Sequence, residues 1–169
     1  MTSMEAQPES QHVSWSAWDW IVLAIGTGLF TGMIPPRVAT FSTLLGIPLA
    51  MGLSNALGWA AYVPILVVLW VIGIPICGRS AQLLAKKDPR EVTYDEFVTL
   101  PLVYFLVPEF SLRIIIAGFT LHRIFDILKP FGIRRLERVG GGLGIMMDDI
   151  AASLIAFVVM RLLFVYQIL

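Results

Sequence analysis

The chain has 169 residues, enough for one domain, and is 57% hydrophobic and only 14% charged, with a formal net charge of zero. Soluble domains carry roughly 25% charged residues, so this composition, with a mean hydropathy of +0.82, points to an integral membrane protein. Zero net charge gives no sign of a nucleic-acid partner, one cysteine (Cys77) excludes an intrachain disulfide, and two histidines (His12 and His122) exclude a histidine-rich metal site.

Residues 1–16 are polar, hold Glu5, Pro8 and Glu9, and lack Lys and Arg. They read as a disordered tail rather than a secretory signal, which opens on basic residues; residues 17–169 form the membrane domain. Trp15, Trp18 and Trp20 mark a membrane boundary, where tryptophan rings concentrate. Residues 21–34 are apolar but broken by Gly26, Gly28 and Gly32 and stopped by Pro35 and Pro36. With residues 17–20 they are just long enough to span. A polar loop, 37–43, precedes a second apolar run, 44–53, too short to span alone. Residues 56–77 are the strongest signal, matching the roughly 20 residues that a hydrocarbon core requires.

A charged segment follows at 79–96. Thr93-Tyr94-Asp95-Glu96 fits a capping box, so a helix is expected to begin there. It runs to Val107, where Pro108 and Glu109 interrupt it, and residues 110–121 continue the apolar pattern. Asp148-Asp149 opens the last spanning run, 150–169. Lys and Arg concentrate in two loops, 79–90 and 122–138, which the positive-inside rule assigns to one cytoplasmic face. A full span between them would separate them. The reading is therefore an all-α polytopic protein with about four apolar helical regions, the one at 97–121 a re-entrant pair of half-helices; the rival is one continuous kinked helix.

Residues 122–149 concentrate charge inside this greasy chain. Three carboxylate groupings stand at the mouths of apolar runs: Asp95-Glu96, Asp126 and Asp148-Asp149. Hard oxygen ligands suit magnesium, which bridges to phosphate oxygens. Arg123, Lys129 and Arg134 are cations able to hold a phosphate. Arg123, Asp126 and Lys129, three apart, lie near one helix face that Pro130 ends. The run Gly140–Gly144, with Leu143 inside it, offers bare backbone to a ligand or serves as a linker. Each feature also has a plain structural role: Asp148 capping a helix, Thr93–Glu96 a cap only, Arg123–Asp126 a local ion pair, Lys86, Lys87 and Arg90 a headgroup-facing patch, and Cys77 packing. A cysteine-nucleophile phosphatase needs Arg six positions on, where Leu83 stands, and no D-x-D motif serves an aspartyl-phosphate route. What remains is metal-activated water. A membrane cation channel or transporter using the same carboxylates is the alternative, although such sites lie near mid-membrane on broken helices.

R-I-F-D-I-L-K-P from Arg123, then G-G-L-G-I-M-M-D-D-I-A-A, and K-D-P-R-E-V-T-Y-D-E-F from Lys87 resemble the phosphatidylglycerophosphatase A family over residues 28 to 169. The resemblance implies a magnesium-dependent phosphatase of the bacterial inner membrane. It would hydrolyse phosphatidylglycerophosphate to phosphatidylglycerol and inorganic phosphate, with its site facing the cytoplasm. Asp95, Glu96, Asp126, Asp148 and Asp149 would bind magnesium, with Glu96, Asp126 and Asp149 catalytic. Arg123, Lys129, Arg134 and Thr40 would hold the phosphate. Two departures stand out: His122 replaces a Phe, and the family's P-G-T-x-G-S reads Val38-Ala39-Thr40-Phe41-Ser42-Thr43, keeping Thr40 and offering Thr43 for Ser. The partner is a phospholipid, and no pattern in the sequence specifies an oligomeric state.

Overall fold

A computed structural model describes residues 15–34 and 39–169, without the side chains of Ala39, Phe131, Arg134, Arg135, Glu137 and Arg138. The expected tail lies outside it except for Trp15 and Ser16. The described residues are helical, with no strand: α1 (Ala17–Gly26), α2 (Ala39–Leu44), α3 (Gly46–Leu83), α4 (Tyr94–Val103), α5 (Leu112–Leu128) and α6 (Gly141–Val165), with 3-10 turns at Thr31–Met33 and Pro130–Val139. Two stretches are long and apolar enough to cross a membrane, Thr40–Leu83 and Gly141–Val165. Val67, Val68, Val71 and Ile72 of α3 and Leu154, Val158 and Leu162 of α6 are exposed, an apolar belt that water would not tolerate and lipid would. This is the surface expected of a membrane protein.

The first apolar run does not span. Ser16 and Asp19 close a capping box that starts α1, and the helix stops at Gly26 before the chain turns at Leu29 and Phe30, both with positive φ. Asp19 instead reaches Arg79 Nη2 at 2.6 Å, tying α1 to α3. Trp18 and Trp20 stay 67% and 51% exposed, as boundary tryptophans should. The second and third runs join within α3, but Gly58, at φ +69°, breaks it. Only glycine takes that conformation cheaply. Residues 46–57 and 59–83 then run in opposite directions. Gly46 packs on Phe97 and Leu100, Asn55 and Trp59 line one pocket with Pro108 and Glu109, and Trp70 returns to bond the Val98 carbonyl at 2.9 Å.

The break around Pro108 is real: α4 ends at Val103 and α5 begins at Leu112, capped by Ser111. A continuous helix through 97–121 is excluded. The two form an antiparallel hairpin, since Glu96 at the start of α4 lies 2.8 Å from Arg123 near the end of α5. The Tyr104 hydroxyl ties the hairpin at 2.7 Å to the Ile115 carbonyl, over a Gly118 where a Cβ would sit 2.4 Å from the Tyr104 ring.

Two expectations about α6 fail. It begins at Gly141, not at Asp148, so the acidic pair lies about two turns inside the helix and caps nothing. The glycine run is not a linker: from Gly141 on it is the first turn of α6. A Cβ on Gly142 would stand 1.8 Å from the Ile74 carbonyl oxygen, so this glycine lets α6 lie directly on α3. The Cys77 thiol is buried there, 3.8 Å from Met146 Sδ, in the packing role expected of it. The core below is aromatic, with Trp59, Tyr62 and Phe105 in mutual contact and Phe157 against Phe105. At that far end Arg161 bonds the Leu106 carbonyl at 2.9 Å.

Candidate active site

The ends of α4 and α5 and the first turns of α6 enclose a cavity of about 480 Å3. Its walls carry Asp95, Glu96, Arg123, Asp126, Lys129, Asp148 and Asp149, with Asp88, Arg90, Val92, Ile127 and Ile145 around them. Each functional side chain is placed by its element. α4 starts at Tyr94 as expected, but Thr93 makes no side-chain cap bond. Glu96 is used otherwise: its Oε2 accepts from Arg123 Nη1 at 2.8 Å and from the Thr43 hydroxyl. The same Arg123 nitrogen donates to Asp126 Oδ2 at 2.9 Å. The local ion pair therefore exists, but as one arm of a bridge joining α2, α4 and α5.

Lys129 is not in the last turn of α5. It follows the helix as its C-cap, in the left-handed region at φ +41°. A non-glycine residue there costs about 1–2 kcal/mol. The conformation aims its ammonium at α6, where it pairs with Asp148 and stands 3.9 Å from Asp149 Oδ1.

Negative charge dominates the site. Asp95, Asp148 and Asp149 are 8%, 3% and 2% exposed. Burial, with Glu96, Asp148 and Asp126 near by, pushes the Asp95 carboxyl well above its ordinary range. Burial also raises Glu96, while Arg123 opposes the shift. Lys129 is held above its usual value: burial works against its charge, but Asp149 and Asp148 outweigh it. Two buried carboxylate oxygens, Asp95 Oδ1 and Asp149 Oδ2, have no hydrogen-bond partner among the described residues. Buried polar atoms are normally satisfied, so this pair is the mark of a site built for something positive. No group of three acids is close enough to cage an ion among the described residues.

Of the residues expected in the site, Asp95, Glu96, Asp126, Asp148, Asp149, Arg123 and Lys129 line one cavity. Thr40 does not: it is exposed on α2 and does not border the cavity. Thr43, one turn on and fully buried, reaches Glu96 instead, so the position offered for Ser is the one that serves. The side chain of Arg134 lies outside the described residues. Arg90, read as part of a surface patch, borders the cavity. His122, outside the expected set of site residues, borders the site all the same. It is fully buried, and its Nε2 lies 3.3 Å from the Thr99 hydroxyl, which also bonds the Asp95 carbonyl at 2.7 Å. Its position next to Arg123 in sequence was the available signal.

The family model for phosphatidylglycerophosphatase A matches residues 24–164. The chain belongs to the phosphatidylglycerophosphatase A family. It is accordingly a phosphatase. Phosphatidylglycerophosphatase A of Haemophilus influenzae is 34% identical over 139 residues, covering 82% of this chain and 84% of the relative. The Escherichia coli protein of that name is 33% identical over 138 residues, covering 81% and 78%. A Bacteroides thetaiotaomicron protein, provisionally named phosphatidylinositol-3-phosphatase, is 33% identical over 144 residues, covering 82% and 91%. No solved structure matches the chain significantly. The family match embraces every wall of the cavity, from Asp88 to Asp149.

Proposed function

We propose that this protein removes the terminal phosphate monoester of phosphatidylglycerophosphate, leaving phosphatidylglycerol, in a magnesium-dependent hydrolysis at the membrane surface. The observation that carries the magnesium is the pair of buried oxygens on Asp95 and Asp149 that have no partner among the described residues, beside the cations Arg123 and Lys129. Asp95 and Asp149 would hold the ion, with Asp148, Asp126 and Glu96 completing the negative field. Bound magnesium supplies positive charge to the phosphoryl oxygens and makes water a better nucleophile at neutral pH.

The protein's own residues do the rest. Arg123 and Lys129 receive the phosphate and favour the charge that develops as the ester bond breaks. Arg123 is held in place for this by Glu96, Asp126 and Thr43. Asp126 and Asp149 orient the attacking water and accept its proton; the departing lipid oxygen is reprotonated from solvent. Glu96, whose Oε2 is taken by Arg123 and Thr43, acts mainly by positioning that arginine. In the membrane, the α4–α5 hairpin enters and leaves by one face. That face carries both basic loops and the cavity mouth, and positive charge assigns it to the cytoplasm. In bacteria this is the cytoplasmic leaflet of the inner membrane. The far-end contacts of Arg161 and Leu106 then lie on the other side.

The test is phosphate release from phosphatidylglycerophosphate in mixed micelles, with magnesium and with excess chelator, for wild type and Asp149→Asn. Magnesium-dependent turnover is expected. Asp149→Asn is expected to cut it at least about a hundredfold, the scale of losing one key electrostatic contact. Full turnover in chelator overturns the metal reading, and absence of turnover on this lipid overturns the substrate.

A further inference from the structure

Among the described residues, the cations deep in the cavity, Arg123 and Lys129, are both committed to carboxylates. Arg123 bridges Glu96 and Asp126, and Lys129 answers Asp148 and Asp149. Arg90 also borders the cavity, and it makes no hydrogen bond or ion pair among the described residues. It is exposed at the rim, yet the loop that carries it is firmly built. Pro89 is buried and its carbonyl accepts from Val92 N at 2.9 Å, closing a turn around Arg90. Thr93 N bonds the Gly26 carbonyl at 2.9 Å. Glu91 pairs with Lys86, and its carbonyl packs so closely on Gly32 that a Cβ there would lie 2.3 Å away. A guanidinium carried to a cavity mouth by a fixed backbone, with no acceptor among the described residues, is available for a ligand acceptor, and its planar fork suits phosphate oxygens.

The chemistry of the lipid supplies one. In phosphatidylglycerophosphate, the monoester to be cleaved and the phosphodiester leading to the tails sit on the first and third carbons of one glycerol. In phosphatidylinositol 3-phosphate, the compound implied by the name of the Bacteroides relative, they sit on ring carbons 1 and 3. Both lipids present a diester three carbons from a monoester. A cavity of about 480 Å3 is large enough for such a headgroup. With the monoester against Arg123 and Lys129, a diester on the same headgroup would fall toward the rim, which Arg90 lines.

We infer that Arg90 is a specificity residue that binds the lipid phosphodiester, so that the site selects a monoester placed three carbons from a diester. This rests on the function proposed above but adds a second phosphate site to it. The diester does not change in the reaction, so its contact is equally strong in substrate and transition state, and it moves KM rather than kcat.

The experiment measures KM and kcat for phosphatidylglycerophosphate and for phosphatidylinositol 3-phosphate, together with Ki for inorganic phosphate, in wild type, Arg90→Ala, Arg90→Lys and Lys87→Ala. Arg90→Ala is expected to raise KM about tenfold for each lipid that wild type hydrolyses, with kcat within about threefold. Ki for phosphate, which has no diester, should move by less than about twofold. Arg90→Lys should recover part of the loss, because a point charge replaces the fork. Lys87→Ala, on the same loop but away from the cavity, should leave KM unchanged. An unchanged KM in Arg90→Ala, a fall confined to kcat, a parallel rise in phosphate Ki, or an equal effect of Lys87→Ala each overturns the inference. Wild type active on the inositol lipid alone overturns only the substrate named above; wild type inactive on both overturns both proposals.

Discussion

Replacing Lys129 by Met keeps most of the side-chain volume and removes the charge. Lys129 is 17% exposed at the side chain, whereas Asp148 and Asp149 are 4% and 3% exposed, so the substitution strands buried acids rather than a surface ion. Removing one partner of a buried pair costs about 3–5 kcal/mol. The lower end applies here, because Lys129 keeps some solvent contact that screens the pair. At about 2–4 °C per kcal/mol for a chain of this size, Tm in metal-free buffer should fall by about 6–12 °C. Magnesium should restore part of that fall, since a dication between the acids replaces the missing charge. Turnover should drop at least about thirtyfold even where the protein is fully folded, for loss of a charge-assisted contact to the phosphoryl group worth about 2 kcal/mol or more. Lys129→Gly separates charge from backbone. It loses the same ammonium but accepts φ +41° without strain, so it should be about 1 kcal/mol more stable than Lys129→Met. Thermal denaturation with and without magnesium, and turnover per folded molecule, measure all of this. A Tm within about 1 °C of wild type in metal-free buffer would refute the reasoning. An unchanged turnover after a large loss of Tm would make Lys129 a counter-charge only.

Two further outcomes are expected. Gly142→Ala should abolish folding or lower stability by more than about 3 kcal/mol, because the new methyl meets the Ile74 carbonyl rather than a movable side chain; a normal melting curve would show that α6 does not lie on α3 this closely. Single cysteines at Lys86 and Val139, both exposed, in a Cys77→Ser background should react with an impermeant thiol reagent from the same side, in inverted vesicles and not in intact cells. Labelling from opposite sides would exclude the hairpin topology.

Much of this protein is determined by composition and local pattern. Long apolar runs, boundary tryptophans and sparse charge specify helices in a membrane, since only internally bonded backbone is stable in lipid. The break at Pro108 and the helix start at Tyr94 were readable because proline and acidic first turns act locally. So was the set of acids and cations, because charge in an apolar chain is costly without a purpose. Tertiary structure decided the rest. Whether Asp148 caps a helix or lies inside one depends on where α6 starts, and that is set by Gly142 meeting the backbone of α3, a long-range contact with no local signature. Whether Glu96 caps α4 or holds Arg123 depends on the hairpin bringing α5 back beside it. The use of Thr43 rather than Thr40 depends on which face of the short α2 meets Glu96. Sequence lists which charges are present; packing alone brings Asp95, Arg123 and Asp149 to one cavity, because that convergence comes from helix contacts between residues far apart in the chain.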